Sequence, residues 1–383
     1  MSATVPDAER LAWVALNALA EPGDPRFARL VAEMGAPALY ERLAAKLDLE
    51  GLRSQTAERL QGLDPAQVLE QAGRLGIRFV VPGDEEWPET LSDLDRIDPL
   101  NQMVGAPLGL WVRGPAPLAD VLRDSIAVVG SRSATSYGTR VAADIAAHLA
   151  EHGTTVVSGA AYGIDQAAHR GALASRGPTV AVLACGVDRA YPAGHKALLD
   201  YIGETGAVVS DLRPGCAPSR YRFLARNRLI AAMTRGTVVV EAAVRSGALN
   251  TASWAQRLQR PVMGVPGPVT SAPSEGVHEL IRNGEAGLVT RGEHVREMCA
   301  PVGVDTWVPP RAEASAFDLL DELDRRVLEA VPVRNAATGS SLARTAGLST
   351  EATLSALKRL EVEGWVRAVG RRWERVPATP LRA

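Results

Sequence analysis

The sequence predicts an α/β protein built around a doubly wound, mostly parallel sheet, with a small helical domain before it and a winged-helix domain after it. Two observations predict the sheet. Between residues 125 and 290, short apolar runs rich in Val and Ile recur every 20–30 residues, each bounded by Gly or a turn residue. Helical patterns fill the gaps between them. Buried parallel strands read as continuous apolar runs joined by helices, so this rhythm indicates a Rossmann-like sheet.

The elements follow in chain order. Residues 1–75 carry apolar residues at helical spacing, punctuated by Gly and Pro, and we expect a small helical domain. Residues 76–300 form the extended Rossmann-like domain, which opens with two candidate strands at 76–81 and 108–114. The six apolar runs that we interpret as its main strands are Ile126–Val129, Thr155–Val157, Thr179–Leu183, Ala207–Val209, Thr237–Val240 and Pro261–Val265. The clearest helices between them are Arg140–Glu151, Gln166–Ser175 and Ala248–Leu258.

A Pro- and acid-rich stretch within residues 301–316 reads as a linker, and residues 317–383 follow as a separate unit. One helix is expected at Asp318–Ala330. A helix–turn–helix pattern covers Leu342–Ala346 and Thr350–Glu363, and a hairpin follows at 365–376. Three helices and a hairpin predict a winged-helix domain.

Composition restricts the classes of function. The 383-residue chain has a formal net charge of −2, so any attraction for nucleic acid must come from local patches. Three distant cysteines without a CxxC pair disfavour a disulfide framework or a zinc site, and we expect neither metal nor cofactor. No apolar run approaches the ~20 residues of a membrane helix, and no signal pattern opens the chain. We therefore expect a cytoplasmic protein without membrane contact.

The loop after the first main strand holds the first candidate site, Gly130, Ser131 and Arg132. Ligands of parallel sheets bind beyond the carboxyl ends of the strands. A Gly-Ser turn lets the backbone approach a ligand, and Arg132 can bind phosphate through two N–H groups. The G-x-G-x-x-G pattern is absent, so a dinucleotide cofactor is not expected. The alternative is a purely structural turn.

The loop after the next strand is a second run of small residues leading into a helix. Its candidate positions are Ser158, Gly159, Ala160, Gly163, Ile164 and Asp165. Together with Gly130–Arg132 it would form a phosphate-sized pocket. Asp165 and His169 share a helix face, which allows two interpretations. They act as an acid–base pair, or Asp165 holds loop N–H groups while His169 packs behind it.

An arginine-rich segment gives the strongest local signal. Between Leu212 and Val240 there are six arginines and no Asp or Glu, and Tyr221 and Phe223 lie among them. Arginines that track a backbone, next to rings that stack on exposed bases, suit single-stranded nucleic acid. The alternative is a solvated arginine face. The candidate residues here are Arg220, Phe223, Arg226, Asn227 and Arg228.

Two further strand-end features complete the set. Ser246 and Gly247 open a predicted helix and can offer N–H groups to an anion. Glu241, just after a strand, is either a catalytic base without metal ligands or the partner of an arginine.

These motifs, in this order and spacing over about 160 residues, resemble the DNA-processing protein A family (DprA, also called Smf). The matching segments are Val129–Arg132, Tyr137–Gly138, Val157–Gly159, Gly163–Asp165, Ala168–His169, Gly171–Leu173, Tyr191–Pro192, Ala225–Arg228, Val240–Ala242, Ser246–Gly247 and Pro266–Gly267. Trp87–Leu91 and Leu110–Gly114 resemble the stretch that precedes this domain in the family. Leu224 stands where the family often has Pro, and Arg220 where Lys is common.

The resemblance implies a non-enzymatic protein that binds single-stranded DNA, dimerises and loads the recombinase RecA during natural transformation. It also implies that Arg132 contacts phosphate with backbone of Ser158–Asp165, that Phe223 stacks on a base, and that Arg226 or Arg228 supports the phosphate site.

Two other functions stay open. A phosphoribohydrolase-like nucleotide hydrolase would use a carboxylate such as Asp165 or Glu241, although its usual Pro-Gly-Gly-x-Gly-Thr loop is missing. The winged helix could bind duplex DNA through wing arginines or contact a protein. Its predicted recognition helix, Thr350–Glu363, is rich in Glu, which favours a protein contact.

Overall fold

The computed structural model describes residues 5–301 except 50, residues 303–305 and 307, and residues 316–376; the side chains of 53–55 and 57 are not described. The chain forms two compact units, Met1–Trp307 and Val308–Ala383. Most of the predicted linker (302, 306 and 308–315) and the end of the predicted winged-helix domain (377–383) lie outside the described residues. So do residues 1–4 of the predicted helical domain.

A nine-stranded sheet forms the centre of the first unit. Its strands are β1 (Arg78–Val80), β2 (Leu110–Arg113), β3 (Ser125–Val129), β4 (Thr155–Ser158), β5 (Thr179–Val182), β6 (Ala207–Ser210), β7 (Thr237–Val239), β8 (Val262–Gly264) and β9 (Gly287–Leu288). They lie in the order β1-β2-β6-β5-β4-β3-β7-β8-β9. Strands β3 to β9 pair in parallel, while β1–β2 and β2–β6 pair antiparallel. The predicted α/β class with a mostly parallel sheet is confirmed.

Thirteen helices surround this sheet in the described part of the unit. They are α1 (Asp7–Leu19), α2 (Pro25–Met34), α3 (Ala36–Ala44), α4 (Leu52–Leu60), α5 (Pro65–Arg74), α6 (Leu118–Leu122), α7 (Ser136–Glu151), α8 (Ile164–Ala174), α9 (Lys196–Thr205), α10 (Arg220–Ala232), α11 (Gly247–Arg257), α12 (Ala272–Arg282) and α13 (Gly292–Cys299). Short 3-10 turns occupy Glu89–Arg96 and Ala193–His195. None of the described helices combines the length and the apolar character that crossing a bilayer requires.

Alternation along β3 shows how the sheet is covered on both faces. Ile126 and Val128 pack in a cluster with residues of α7 and α8. Ala127 and Val129 pack in a second cluster with residues of α10 and α11. Because successive strand residues point to opposite faces, a continuous apolar run is what burial on both faces requires.

The strand order reverses between β3 and β7. From β3 the chain adds β4, β5 and β6 on one side, and α10 then carries it back to β7 on the other side. Loops that leave β3 and β7 in opposite directions open a crevice at the carboxyl edge of the sheet, which is where open α/β sheets bind ligands.

The N-terminal helices share a core with the sheet. Trp13 and Val14 of α1 belong to one buried cluster with Phe79 and Trp111 of the β1–β2 pair. Asn17 links the layers, because its amide accepts from Trp111 Nε1 at 2.9 Å and donates to the Asp211 carbonyl at 2.8 Å. The structure thus places these helices within the first compact unit. The predicted boundary at residue 75 stays a prediction about independent folding.

The second unit has three helices and a small antiparallel sheet. Its elements are α14 (Glu322–Ala330), α15 (Gly339–Ala346), α16 (Thr350–Val362), β10 (Ala337–Thr338), β11 (Val366–Val369) and β12 (Arg372–Arg375), with strand order β10-β12-β11. Val327, Leu342 and Leu357 form its core. Buried Asp324 pairs with Arg359 at 2.6 Å. The two-residue β10 was not foreseen, and the winged-helix assignment stays a prediction.

Candidate nucleic-acid interface

A crevice of about 790 Å³ lies at the carboxyl ends of β3 and β7, beside the start of α10. Its volume is within the range of pockets that enclose small-molecule ligands. Ten of the residues singled out in the sequence line it: Gly130, Ser131, Arg132, Asp165, Arg220, Phe223, Arg226, Asn227, Ser246 and Gly247. The topology therefore brings together loops that are up to 117 residues apart in the chain, Gly130 to Gly247.

Backbone bonds tie the loops of the crevice to each other. Ser131 N donates to the Glu241 carbonyl at 2.7 Å, and Ile164 N donates to the Ser131 carbonyl at 3.2 Å. Gly163 has φ +80°, and a Cβ there would lie 2.3 Å from the Ser131 carbonyl oxygen. Only glycine fits that position. The other members of the predicted loop, Ser158–Ala160 and Ile164, are buried behind the lining residues.

Glu241 is a structural carboxylate. It accepts from the Thr135 backbone N–H at 2.9 Å and from the Thr135 hydroxyl at 2.5 Å. Thr135 is the N-cap of α7, so the bond joins the end of β7 to the start of that helix. These two hydrogen bonds account for the position of the Glu241 carboxylate. Neither of the roles considered from the sequence, a catalytic base or the partner of an arginine, is needed to explain it.

Asp165 also holds a loop. Its carboxylate accepts from Ala161 N at 3.3 Å. Burial raises the pKa of Asp165, and the Arg226 charge and loop N–H groups offset part of that effect. His169 is buried against Thr179, with Nδ1 2.7 Å from its hydroxyl. This geometry matches the second interpretation from the sequence, in which Asp165 positions the loop and His169 packs behind it.

Arg226 and Asn227 hold the loops that form the crevice through hydrogen bonds to backbone carbonyls. Arg226 is buried and donates to the carbonyls of Gly159, at 2.7 Å, and Val182, so it bridges the ends of β4 and β5. A Cβ on Gly159 would collide with this guanidinium. Asn227 donates to the Gly247 carbonyl at 3.2 Å and thereby fixes the start of α11.

Arg228 does not face the crevice. Its side chain is 1% exposed and pairs with Asp211, 4% exposed, at 2.9 Å. The resemblance implies that Arg226 or Arg228 supports the phosphate site; of the two, only Arg226 lines the crevice. Two residues along a helix turn by about 200°, so neighbouring arginines of the Arg-Asn-Arg segment point in opposite directions.

Three exposed arginines surround the opening: Arg132, Arg220 and Arg245. None of them forms an ion pair with a described residue. Two other arginines of the acid-free segment are neutralised from outside it, Arg222 by Glu21 and Arg235 by Asp124. Arg245 was missed in the sequence, although its position in the loop between β7 and α11, next to Ser246 and Gly247, was the available signal.

Aromatic rings lie among these cations. The Arg132 guanidinium carbon is 4.6 Å from the centre of the Phe223 ring. Tyr191 also lines the crevice, and its ring centre is 5.5 Å from that of Phe223. Tyr191 was named from the sequence only within a segment that matches the family, and not among the candidate site residues. Among the described residues, no group of three or more His, Cys, Asp or Glu side chains is arranged to hold a metal ion.

The chain is similar to known proteins of one family. The sequence profile of the DNA recombination-mediator protein A family matches residues 78–300. A Mycobacterium tuberculosis protein that carries the name DprA is 46% identical over 364 residues, which cover 94% of this chain and 93% of the relative. The DNA processing protein DprA of Streptococcus pneumoniae is 37% identical over 251 residues, 65% of this chain and 87% of the relative.

A solved structure of Streptococcus pneumoniae DprA superposes with a TM-score of 0.63 and 31% identity, covering 76% of this chain and 98% of that one. The likeness thus extends through the fold that forms the crevice. The chain belongs to the DNA recombination-mediator protein A family.

Proposed function

We propose that the protein binds single-stranded DNA in the crevice between β3 and β7 and, without catalysing a reaction, helps to load a RecA-type recombinase on that strand. One observation carries the DNA proposal. Arg132, Arg220 and Arg245, all exposed and without ion-pair partners among the described residues, line the same crevice as Phe223 in a chain whose net charge is −2. Unpaired cations around an aromatic ring are the combination that binds a single strand.

The shape of the site favours a single strand over a duplex. Phe223 and Tyr191 lie in a concave crevice, where a ring stacks only on a base that has left its own stack. Ser246 caps α11, and exposed Gly247 has open space where a side chain would be. A phosphate can therefore approach this backbone closely.

The recombination part of the proposal rests on the family. A recombination mediator acts where a single strand passes to a recombinase, so we infer a RecA-type partner and natural transformation or general recombination as the setting. We also infer a homodimer in solution, which light scattering after size exclusion will measure. Filament nucleation by RecA on single strands covered with single-strand-binding protein tests loading. An unchanged nucleation rate would remove that part of the proposal and leave DNA binding untouched.

The binding experiment compares a labelled single strand with its duplex by fluorescence anisotropy. Single-strand binding that Arg132→Ala and Arg220→Ala both weaken, on every sequence tested, supports the proposal. The control is Arg123→Ala, an exposed arginine just before β3, at the opposite end of the strand from the crevice. Equal loss in Arg123→Ala, or wild-type binding in Arg132→Ala, would contradict the proposed site.

The nucleotide-hydrolase alternative has a direct test of its own. The two carboxylates it would use, Asp165 and Glu241, are engaged in holding loops. Incubation with nucleotides and detection of free base decides the question. Release over many turnovers would overturn the non-enzymatic proposal.

For the second unit we propose a winged helix that contacts a protein. Helix α16 exposes Glu351 and Glu361, and exposed Glu363 follows at its C-cap; these carboxylates oppose a phosphate-rich groove. The test measures duplex binding by the full chain before and after the double substitution Arg371→Ala and Arg372→Ala in the wing. Loss of duplex binding in the double variant would instead support a DNA contact. Equal duplex binding with and without these changes supports the protein contact.

A further inference from the structure

One exposed tyrosine lines the crevice and a second lies on the neighbouring loop. Tyr191 follows β5 and is 43% exposed, and Tyr162 follows β4 and is 50% exposed. Phe223, the ring singled out in the sequence, is partly buried and less exposed than either tyrosine, and the Arg132 guanidinium carbon lies 4.6 Å from its centre. Tyr191 is thus the more accessible ring in the crevice.

The hydroxyl groups set these two tyrosines apart from Tyr137 and Tyr221; exposed Tyr201 also lacks a hydroxyl partner among the described residues, but it lies on α9. Tyr137 donates its hydroxyl to the Pro266 carbonyl and Tyr221 donates to the Pro22 carbonyl, so both anchor loops. Within the described residues, the hydroxyls of Tyr162 and Tyr191 have no hydrogen-bond partner. Structural anchoring through the hydroxyl therefore does not account for them, whereas a role for the ring face does.

The two tyrosine loops are held together by His195. Its Nδ1 lies 2.9 Å from the Ala160 carbonyl oxygen, and its ring packs edge-on against Tyr162 with centres 4.6 Å apart. Because β4 and β5 are neighbours in the sheet, this contact fixes Tyr162 beside the loop of Tyr191. The rings therefore sit on preorganised loops.

We propose that Tyr191 and Tyr162 form a stacking track that receives the nucleotides following the one bound at Arg132 and Phe223. This inference rests on the proposed single-strand function. Arg132, Phe223 and Tyr191 follow one another along the crevice, with 4.6 Å from the Arg132 guanidinium carbon to the Phe223 ring and 5.5 Å from that ring to Tyr191, and Tyr162 lies on the adjoining loop. Successive aromatic rings beside a basic opening suit consecutive bases of one strand. The track makes the footprint longer than the phosphate pocket alone.

Binding of oligothymidylates of increasing length, from about 2 to about 12 nucleotides, tests the track in the full-length protein. We expect Tyr191→Ala to weaken the longer oligonucleotides by about 5- to 150-fold, the range of one lost stacked base. The shortest oligonucleotides should lose little. Tyr162→Ala should first show its effect at a greater length than Tyr191→Ala.

Conservative variants separate stacking from loop structure. Tyr191→Phe and Tyr162→Phe keep the ring and lose a hydroxyl without a partner, so both should bind like the wild type. Tyr201→Ala is the matched control, because Tyr201 is 51% exposed but lies on α9, outside the crevice. Photocrosslinking of single strands carrying one 5-iodouracil should give adducts at Tyr191 and Tyr162 from different nucleotide positions.

The possible failures are distinct. If Arg132→Ala and Phe223→Ala weaken binding while both tyrosine→Ala variants match the wild type at every length, the track is wrong and the proposed function stands. If the wild type binds no oligonucleotide, both fail. Loss of binding in Tyr191→Phe as well as in Tyr191→Ala would show a structural role and overturn the stacking role.

Discussion

The Arg132 guanidinium carbon lies 4.6 Å from the centre of the Phe223 ring, so the cation and the ring expected to bind DNA contact each other. This distance is within cation–π range. The pair keeps a charge from the loop after β3 over a ring from the first turn of α10. Binding energies of the two residues should therefore be coupled, which gives the first prediction.

Arg132→Ala and Phe223→Ala should each weaken single-strand binding by about 1–3 kcal/mol. The double variant should differ from the sum of the two losses by about 0.5–1 kcal/mol, the size of an exposed cation–π contact. A double-mutant cycle by fluorescence anisotropy measures this difference. Arg123→Ala combined with Phe223→Ala is the control, and additive losses are expected there. Strict additivity for Arg132 and Phe223 would show that their contact does not matter for binding.

Salt dependence reports how many arginines neutralise phosphates. Three exposed arginines, Arg132, Arg220 and Arg245, line the crevice. With about −0.7 per contact for single strands, the log–log slope of affinity against salt should be about −2. If Arg228 faced the crevice as a fourth arginine, the slope would be about −3. Removal of Arg132 should reduce the slope to about −1.4, and removal of Arg123 should leave it unchanged. A wild-type slope near zero would exclude phosphate contacts.

Arg228 is expected to affect stability rather than DNA binding. Arg228→Ala leaves the buried Asp211 carboxylate without its partner, and this should lower the free energy of unfolding by about 3–5 kcal/mol. Arg228→Met combined with Asp211→Asn removes both charges and should recover much of the loss. Urea unfolding measures stability, and anisotropy on the folded fraction measures binding.

Arg132→Ala should give the opposite result, with binding lost and stability kept. A stable Arg228→Ala protein that fails to bind DNA would contradict the structural role of this ion pair.

These contrasts show what the sequence could predict. All six main strands were found from their Val- and Ile-rich runs, because burial on both faces leaves a continuous apolar signal. The two-residue edge strand β9 was missed, since Gly287–Leu288 is too short for any periodicity. The loops after β3 and β7 were identified because the sequence alone shows which residues follow a strand.

The ion-pair partners of the arginines could not be predicted in the same way. Arg228 looked like a member of an acid-free basic segment, yet Asp211 lies one residue beyond that segment and Glu21, the partner of Arg222, is about 200 residues away. Charge balance within a window says nothing about carboxylates that the fold brings in. For the same reason Arg245 and Tyr191 were missed, because exposure and convergence on one crevice are properties of the fold.

Gly163 should be essential for the shape of the crevice. Gly163→Ala places a Cβ 2.3 Å from the Ser131 carbonyl oxygen at a backbone φ of +80°. The loop must shift, which should cost about 1–3 kcal/mol of stability and weaken single-strand binding. Gly73→Ala is the control, since Gly73 lies in α5 with open space around it and alanine favours a helix. Wild-type stability and binding in Gly163→Ala would show that the loop tolerates a side chain.

His169 gives the protein a stability that depends on pH. Burial lowers the pKa of His169 to about 3, and the charges of His195 and Arg226 act in the same direction. In the unfolded chain its pKa returns to about 6.5. Between these values the unfolded chain binds a proton that the folded protein does not, so the free energy of unfolding falls as the pH falls. The slope from this residue is at most about 1.4 kcal/mol per pH unit.

Urea unfolding of the wild type and of His169→Asn, compared from about pH 7.5 to about pH 5, isolates this contribution. Other ionisable groups cancel in the difference between the two proteins. The wild type should lose about 2 kcal/mol more than the variant over this range. Parallel stability curves would mean that the pKa of His169 is unchanged by folding. A wild type that gains stability relative to the variant as the pH falls would mean that His169 is protonated in the folded protein. Either result would contradict a neutral imidazole buried against Thr179.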